Sequence, residues 1–472
     1  MISKTDFLIY LDSPLHLWAV KNGKIEKDIL DTYTQHLLDQ GYDVEKLAIQ
    51  YAKKYLTEEY SITEKNLLIQ PTHRFEYYQA RTDMLIFNPK TNKWDIYEVK
   101  SSTSVKPKHR YDVTFQYLLF KEKYDIGDTY VLHLNKEYVK EGDIYLPELF
   151  VKENVSEYVE KLKEEVLEER YNAYLVSQMK NSDKLLNCIR PKTCPCVSLC
   201  HPNLPEYSIY DINNITRSEK KIRELEDMDI LNIMDIPKDF KLTAKQRLQV
   251  DVAQSESTYI NKEEIIEERF NQLKYPLYFL DYETFPAAIP IFDGYRPFDH
   301  ITFQYSLHIK KDSSSDLEHY EYVHTQDSDP IPTLLSSLKE HIGSNGSIVV
   351  WNKTFEGTRN KEMGEIYPEF KDFTESMTQR IFDLMKIFQD QLYDDPKFKG
   401  SYSIKNVLPV LADTLSYKNM KIGEGTAAMI SWYDMVFKNG KNIKKDLLEY
   451  CKLDTLAMVK IFEEIEKKLK DL

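Results

Sequence analysis

The 472-residue sequence lacks any run of about twenty apolar residues, the length needed to cross a bilayer. Its first residues, Met1-Ile-Ser-Lys-Thr-Asp6, do not place a basic segment before a long apolar one, so no secretory signal is read there. Both absences lead to the expectation of a cytoplasmic protein with no membrane partner. Positive charge is also in deficit: 63 Lys and Arg stand against 77 Asp and Glu, a net charge of −14. That balance argues against a chain that coats nucleic acid without specificity, which requires many cations against phosphate. It leaves room for a nucleic-acid enzyme, because an acidic catalytic cleft and local basic patches coexist on one surface. Glycine is scarce, at 13 residues, and tyrosine abundant, at 34, but neither count carries a functional reading. Cysteine is rare. Of five, Cys188, Cys194, Cys196 and Cys200 crowd into one short stretch and Cys451 stands apart. The crowding is too tight for a disulfide scaffold in a protein of this size, and in a reducing compartment it reads as a metal-ligand set.

What is present fits a globular protein of two or three domains, with 42% hydrophobic and 30% charged residues. Residues 3–55 carry Leu37, Leu38, Val44, Leu47 and Ala48 at helical spacing. Two strand-like runs follow, Gln79 to Phe87 and Trp94 to Lys100, flanking the polar turn Asn88-Pro-Lys-Thr-Asn-Lys93, as in a hairpin. Asp83 belongs to the first run, and Glu98 and Lys100 share one face of the second. Two carboxylates and an ammonium on neighbouring strands can hold Mg²⁺ and position a water for attack on a phosphodiester. A helix bearing Gln116 comes next, and Lys106, Lys108, His109 and Arg110 ahead of it would suit phosphate contacts or form an exposed basic loop.

This order resembles the RecB-like branch of the PD-(D/E)XK nuclease superfamily, with its restriction-endonuclease-like fold. The resemblance implies catalytic roles for Asp83, Glu98, Lys100 and Gln116, with Asp83 and Glu98 as metal ligands. Family members add an acidic residue or His on the first helix, for which Glu45 and His36 both qualify. Phe120 stands where the family's Tyr follows the Gln. Residues 153–180 then read as an amphipathic helix.

Four thiolates at Cys188, Cys194, Cys196 and Cys200 can ligate one Zn²⁺ or one [4Fe–4S] cluster. Their spacing resembles the cysteine cluster of iron–sulfur RecB-like nucleases, which implies [4Fe–4S], with Zn²⁺ as the alternative. In that group the fourth cysteine lies near the N-terminus, where this chain has Ser13; all four local cysteines, or His201, could complete the set. Either way the role is structural.

From Ile209 to about Gln272 the chain is polar, with two short helices expected at Asp229–Pro237 and from Thr243 onward. It reads as an interdomain connector, although such helical pairs also touch DNA backbones. The domains expected are therefore 1–205, a connector at 206–272, and 273–472.

The last domain opens on Leu277-Tyr-Phe-Leu-Asp281-Tyr-Glu283, a strand ending in two carboxylates on one face. Like charges so close repel unless a cation such as Mg²⁺ or Mn²⁺ joins them; alone, the pair is equally a solvated strand tip. Downstream, His300–Ile309 and His319–His324 alternate as antiparallel strands do, Ile331–Ile342 reads as a helix, and Ser347–Asn352 as a buried strand entering a helix at Lys353. Tyr450 and Asp454, four apart, share a helix face.

These motifs resemble the DEDD exonucleases of the ribonuclease H-like α/β fold. Asp281 and Glu283 match the first motif; Asn352-x-x-Phe355-Glu356 the second, with Glu for the usual Asp; Tyr450-x-x-x-Asp454 the third. The resemblance implies metal binding by Asp281, Glu283, Glu356 and Asp454, with Tyr450 orienting the attacking water. With Asp281-Tyr-Glu-Thr-Phe285, Gln304-Tyr-Ser-Leu-His308 and Gly400-Ser-Tyr-Ser-Ile-Lys405, the sequence also resembles, over nearly the whole chain, a bacterial two-domain family, a RecB-like nuclease followed by a ribonuclease H-type domain of unknown function related to YprB-like exonucleases. The implied function is a metal-dependent nuclease on DNA, or on RNA, at ends or single strands, with 3′–5′ removal by the second domain and endonucleolytic or end-directed cutting open for the first. The alternatives are one degenerate domain kept for binding, or a noncatalytic scaffold subunit of a repair or defence complex.

Overall fold

The structure, a computed structural model, describes residues 1–25, 31–418 and 420–471. Part of the helical reading of residues 3–55 therefore lies outside the described residues. The fold is mixed α/β, and the chain divides into two units: Met1–Pro202 with Pro286–Asp299, and Asn203–Phe285 with His300–Leu472.

In the first unit, five strands pair in sequence order: β1 (Leu67–Ile69), β2 (Met84–Asn88), β3 (Lys93–Lys100), β4 (Ile126–Leu134) and β5 (Phe150–Asn154). Neighbours are antiparallel except β3 and β4, which are parallel and joined through helix Pro107–Phe120. A parallel pair needs such a crossover. The first expected strand is interrupted: Tyr78–Arg81 pairs in a separate three-stranded sheet, and the chain breaks at Thr82-Asp83 before β2 begins. The turn after β2 pairs Asn88 with Lys93 and bends through Asn92 at φ +57°, a conformation Asn tolerates better than most residues. The amphipathic stretch folds as Ser156–Gln178, burying Val159, Val166, Ala173 and Val176. Residues 286–299 belong to this unit through the Ala288 amide, which donates to Gln40 Oε1 at 2.6 Å, and the Lys140–Asp293 ion pair at 2.5 Å.

The second unit is built on a five-stranded sheet of β6 (Leu277–Pro286), β7 (His300–Lys310), β8 (Leu317–Val323), β9 (Ser347–Val350) and β10 (Ile381–Asp383), in the order β8-β7-β6-β9-β10. Strands β6, β9 and β10 run parallel, and β7 and β8 form an antiparallel pair. Strand β7 does not alternate as expected: Ile301 to Ile309 are all buried, because helices Ile331–His341 and Lys444–Asp471 both pack against it. The connector region is less regular than its composition implies. Between Asp229 and Pro237 only the 3₁₀ turn Ile233–Asp235 forms, whereas Ala244–Ser255 is a full helix with a Thr243–Gln246 capping box. Tyr259–Ile260 then pairs antiparallel with Tyr393–Asp394, and residues 203–272 fold into the second unit.

Candidate functional site

The second unit gathers the carboxylates expected from sequence. Asp281 and Glu283 sit inside β6, rather than at its end, and alternate residues of a strand face one side. Glu356 lies in the first turn of helix Lys353–Ile366, whose N-cap Asn352 accepts from the Thr354 and Phe355 amides at 3.1 and 3.4 Å. That helix is fixed to β6 by the Tyr282 hydroxyl, which donates to Asn360 Oδ1 at 2.9 Å. Tyr450 and Asp454 come from helix Lys444–Asp471, held against the sheet by Gln304 Nε2 donating to the Leu447 carbonyl at 2.8 Å and by the Ser306–Thr455 hydroxyl contact at 2.7 Å.

Asp281, Glu283, Glu356, Tyr450 and Asp454 line one cavity of about 330 Å³, together with Trp351, Phe355 and Lys405. Four carboxylates thus meet a single ammonium among the lining residues. Burial, then the Asp454 charge, pushes Asp281 well above the carboxylate range. Burial and Asp281 do the same to Glu283 and to Glu356, and burial raises Asp454 to about 6. Glu356 Oε2 is buried with no hydrogen-bond partner. Asp281, Glu283 and Cys451 also bring ligand atoms within 4.8 Å of one another. A buried, uncompensated carboxylate set with an orphaned oxygen is a fit for hard divalent cations.

Several neighbours were not assigned a role from sequence. Tyr417 donates its hydroxyl to Asp454 Oδ1 at 2.6 Å. Lys405 Nζ donates to the Gly423 carbonyl at 2.6 Å and lies 5.5 and 5.7 Å from the ring centres of Tyr417 and Tyr450. Cys451 Sγ is 3.5 Å from Asp281 Oδ2. Asp383, at the end of β10, accepts from the Lys353 amide at 3.1 Å and adds its charge to Glu356. The Tyr450–Asp454 periodicity could have found Cys451, its chain neighbour; nothing local marks Tyr417.

In the first unit the β2–β3 register pairs Met84 with Tyr97, so Asp83 lies across from Glu98. Asp83 Oδ2 accepts from the Val99 amide at 2.7 Å. Burial, then the Glu98 charge, raises Asp83 to about 8. Glu98 is itself fully buried, and burial alone would raise it. Lys100 at 2.8 Å and Lys4 at 2.6 Å outweigh that and hold it below the carboxylate range. Asp112 joins them, 2.5 Å from Lys100 Nζ and 3.7 Å from Lys4 Nζ, and accepts from Gln116 Nε2 at 2.8 Å. Gln116 therefore acts on Asp112, four residues earlier on the same helix face. Lys4 and Asp112 were not singled out from sequence. Glu45 accepts from Gln70, and His36 bonds Gln40. Lys108 pairs with Asp12 at 2.7 Å, and Arg110 lies over the Tyr158 ring at 3.7 Å. These two basic residues have partners inside the fold.

The cysteines form a third cluster. His16, Cys194, Cys196 and Cys200 bring their ligand atoms within 4.8 Å of one another and could hold a metal ion. His16 Nε2 is 3.2 Å from Cys194 Sγ; Cys194 and Cys196 are 4.0 Å apart, and Cys196 and Cys200 3.5 Å. Cys188 lies 3.6 Å from His201 Nε2. Hydrogen bonds with Cys188 and Cys200 raise His16 to about 9, and burial raises Cys194 to about 12. The donor supplied by the N-terminal segment is thus His16, three residues beyond Ser13. Histidine is a common metal ligand, which was the available signal. No helix among the described residues is long and apolar enough to cross a membrane.

A family model described as a domain of unknown function (DUF2779) matches residues 278–403, a span that holds Asp281, Glu283 and Glu356. The uncharacterized protein MG366 of Mycoplasma genitalium is 27% identical over 226 residues, 43% of this chain and 33% of its own length. The uncharacterized protein UU173 of Ureaplasma parvum is 27% identical over 229 residues, with the same shares. The chain spans about a third of the length of these curated relatives. The crystal structure of SSO0001 aligns with 43% of this chain and 97% of its own at 14% identity, with a TM-score of 0.19, too slight a likeness to carry an argument.

Proposed function

We propose that this chain is a metal-dependent nuclease whose cutting centre is the Asp281 cavity of a ribonuclease H-like second unit. The observation that carries this reading is the convergence of Asp281, Glu283, Glu356, Tyr450 and Asp454, from three separate segments, on one cavity with a strong excess of negative charge. The sheet order, with β6 central and parallel to β9 and β10, supports the fold assignment. Asp281, Glu283, Glu356 and Asp454 would hold Mg²⁺ or Mn²⁺, which when bound supplies charge for the phosphodiester oxygens and an acidified water. The Tyr450 hydroxyl would orient the attacking water. Tyr417 holds the Asp454 carboxylate in place, and the Trp351 and Phe355 rings line the cavity.

The first unit fits a restriction-endonuclease-like PD-(D/E)XK domain in its strand order and in the Asp83, Glu98, Lys100 and Gln116 constellation. Two of its carboxylates, Glu98 and Asp112, however, already have cations. Lys4 and Lys100 both pair with Glu98 and Asp112, while Asp83 accepts only from the Val99 amide, and Glu98 Oε2 and Gln116 Oε1 are buried without a hydrogen bond among the described residues. That arrangement favours a binding or structural role for this unit, with the second unit as the catalyst.

For the cysteine cluster, tetrahedral Zn²⁺ with bonds of about 2.0–2.3 Å sets its ligand atoms roughly 3.5–4 Å apart. The separations among His16, Cys194, Cys196 and Cys200 suit that ion better than a [4Fe–4S] cubane, whose thiolates bind separate irons and stand wider. The ion would pin the end of the first unit to its N-terminal helices.

The test is hydrolysis of end-labelled single- and double-stranded DNA and RNA with Mg²⁺ or Mn²⁺. We expect stepwise shortening from the 3′ end, abolished in Asp281→Asn and Asp454→Asn and retained in Lys100→Ala. A folded protein that degrades none of the four would overturn the nuclease reading and leave a nucleic-acid-binding scaffold.

A further inference from the structure

A second and larger cavity, of about 730 Å³, lies in the second unit, where the former connector region packs on the sheet domain. Its volume is that of an ordinary ligand cleft. Arg217, Lys221, Lys245 and Lys386 line it, against one acidic residue, Asp390. Lys245 is 3.3 Å from Asp390, so one cation is compensated. Lys386 lies near enough to Asp383 to act on its charge and has no ion pair among the described residues. The side chains of Arg217 and Lys221 have no ion-pair or hydrogen-bond partner among the described residues. The N-terminus of the twelve-residue helix Ala244–Ser255 reaches the same wall and adds the positive end of its dipole.

Arg217, Lys221 and Lys386 share one cleft and repel one another, a repulsion that an anion in the same space relieves. The position of the cleft says which anion. Tyr402 lines it, and the next three residues, Ser403, Ile404 and Lys405, line the Asp281 cavity. The two cavities are therefore adjacent along one stretch of wall, one cationic and one anionic.

We propose that the cationic cavity binds the phosphodiester backbone of a single-stranded nucleic acid and leads its end toward Asp281. Arg217 and Lys221 take phosphate oxygens, Lys386 takes a third phosphate nearer the Asp281 cavity, and Tyr402 offers a ring on which a base stacks without sequence preference. A single strand fits better than a duplex, because stacking on Tyr402 requires an unpaired base. The path of the strand end rests on the nuclease reading of the Asp281 cavity; the binding itself does not.

The experiment uses the full chain, a fluorescein-labelled twelve-residue oligothymidylate, and EDTA to keep metal out, with anisotropy read across a salt series. Wild type is expected to bind, and Arg217→Glu with Lys221→Glu to raise Kd at least tenfold. Replacement by Ala at both positions should flatten the dependence of log Kd on log salt by about 1.4, or roughly 0.7 per phosphate contact on a single strand. Arg217→Lys with Lys221→Arg should retain binding, which separates lost charge from lost folding. Oligothymidylate binding unchanged in the charge-reversed protein would overturn the proposal, as would equal displacement of the oligomer by polyglutamate. A separate arm measures Mn²⁺-dependent hydrolysis of the small ester thymidine 5′-(p-nitrophenyl phosphate). That activity should survive charge reversal at Arg217 and Lys221. If wild type lacks it, the nuclease reading fails and the EDTA binding data still decide the cavity.

Discussion

The Tyr417 hydroxyl donates to Asp454 Oδ1 at 2.6 Å, joining a loop residue to a carboxylate on the helix Lys444–Asp471. Asp454 is buried, and burial disfavours its charged form. A hydrogen bond to a charged group contributes about 1.5–3 kcal/mol net. Tyr417→Phe should therefore lower unfolding free energy in EDTA by about 2 kcal/mol, read from urea titration. A change below about 0.5 kcal/mol would mean that the contact is idle.

The four carboxylates of the Asp281 cavity repel one another while no divalent ion separates them. Asp281→Asn should raise the melting temperature in EDTA, because it removes a carboxyl whose ionisation burial and the Asp454 charge disfavour in the folded state. In wild type, Mn²⁺ should raise it through binding to the native state alone, a gain of about 2.7 kcal/mol at a hundredfold excess over Kd. The variant should lose most of that response. Equal Mn²⁺ shifts in both proteins would place the ion elsewhere.

Lys4 bridges Glu98 and Asp112 in the first unit, with most of its side chain out of solvent. Breaking one partner of a buried ion pair costs roughly 3–5 kcal/mol. Lys4→Met should be destabilising on that scale. The exposed Lys46–Asp43 pair offers the control, and Lys46→Met should leave stability unchanged. Similar losses in both would refute the distinction drawn between them.

Asp6 closes the capping box at Ser3 and lies 2.7 Å from Lys21; burial opposes its charge, but Lys21 and Ser3 hold it down at about 2. A folded value below the ordinary 3.8 stabilises the protein above that pH, and the gain fades as pH falls through about 2. Asp6→Asn should cost about 2 kcal/mol at pH 6, with the gap to wild type narrowing as pH drops below 4. A gap independent of pH would assign the loss to packing.

For the cysteine cluster, purified protein should carry one zinc per chain by elemental analysis and no iron–sulfur colour. His16→Ala should release the metal to a chelator faster than wild type does. One iron–sulfur cluster per chain would instead favour the reading drawn from the cysteine spacing.

The residues that line the Asp281 cavity were legible as a group in part, because some of their spacings are informative. Asp281-x-Glu283 falls on one strand face and Tyr450-x-x-x-Asp454 on one helix face by period, but it was the DEDD resemblance that joined these two segments to Glu356. Tyr417 and Lys405 were not legible as partners, since what brings them to Asp454 and Tyr450 is tertiary packing of a loop and a short helix. Lys4 was hidden for the same reason, lying 94 positions before Glu98 in the sequence. In β7, the His300–Ile309 run resembled a half-exposed strand, because Thr302, Gln304, Ser306 and His308 are polar. They are buried nonetheless, with Gln304, Ser306 and His308 bonding into the helix Lys444–Asp471. A sequence pattern reports polarity, and here polarity meant a buried hydrogen-bond network.

Residues 286–299 also bear on synthesis. The first unit takes this segment from the middle of the second unit's sequence, between β6 and β7. A ribosome that has released Pro202 has therefore not yet supplied all of the first unit. Its Gln40 and Lys140 partners wait until Ala288 and Asp293 emerge. By then the whole of β6 has also been made. The two units mature in overlapping intervals, and a protease cut at residue 202 would free a fragment that lacks part of its own core, Ala288 included.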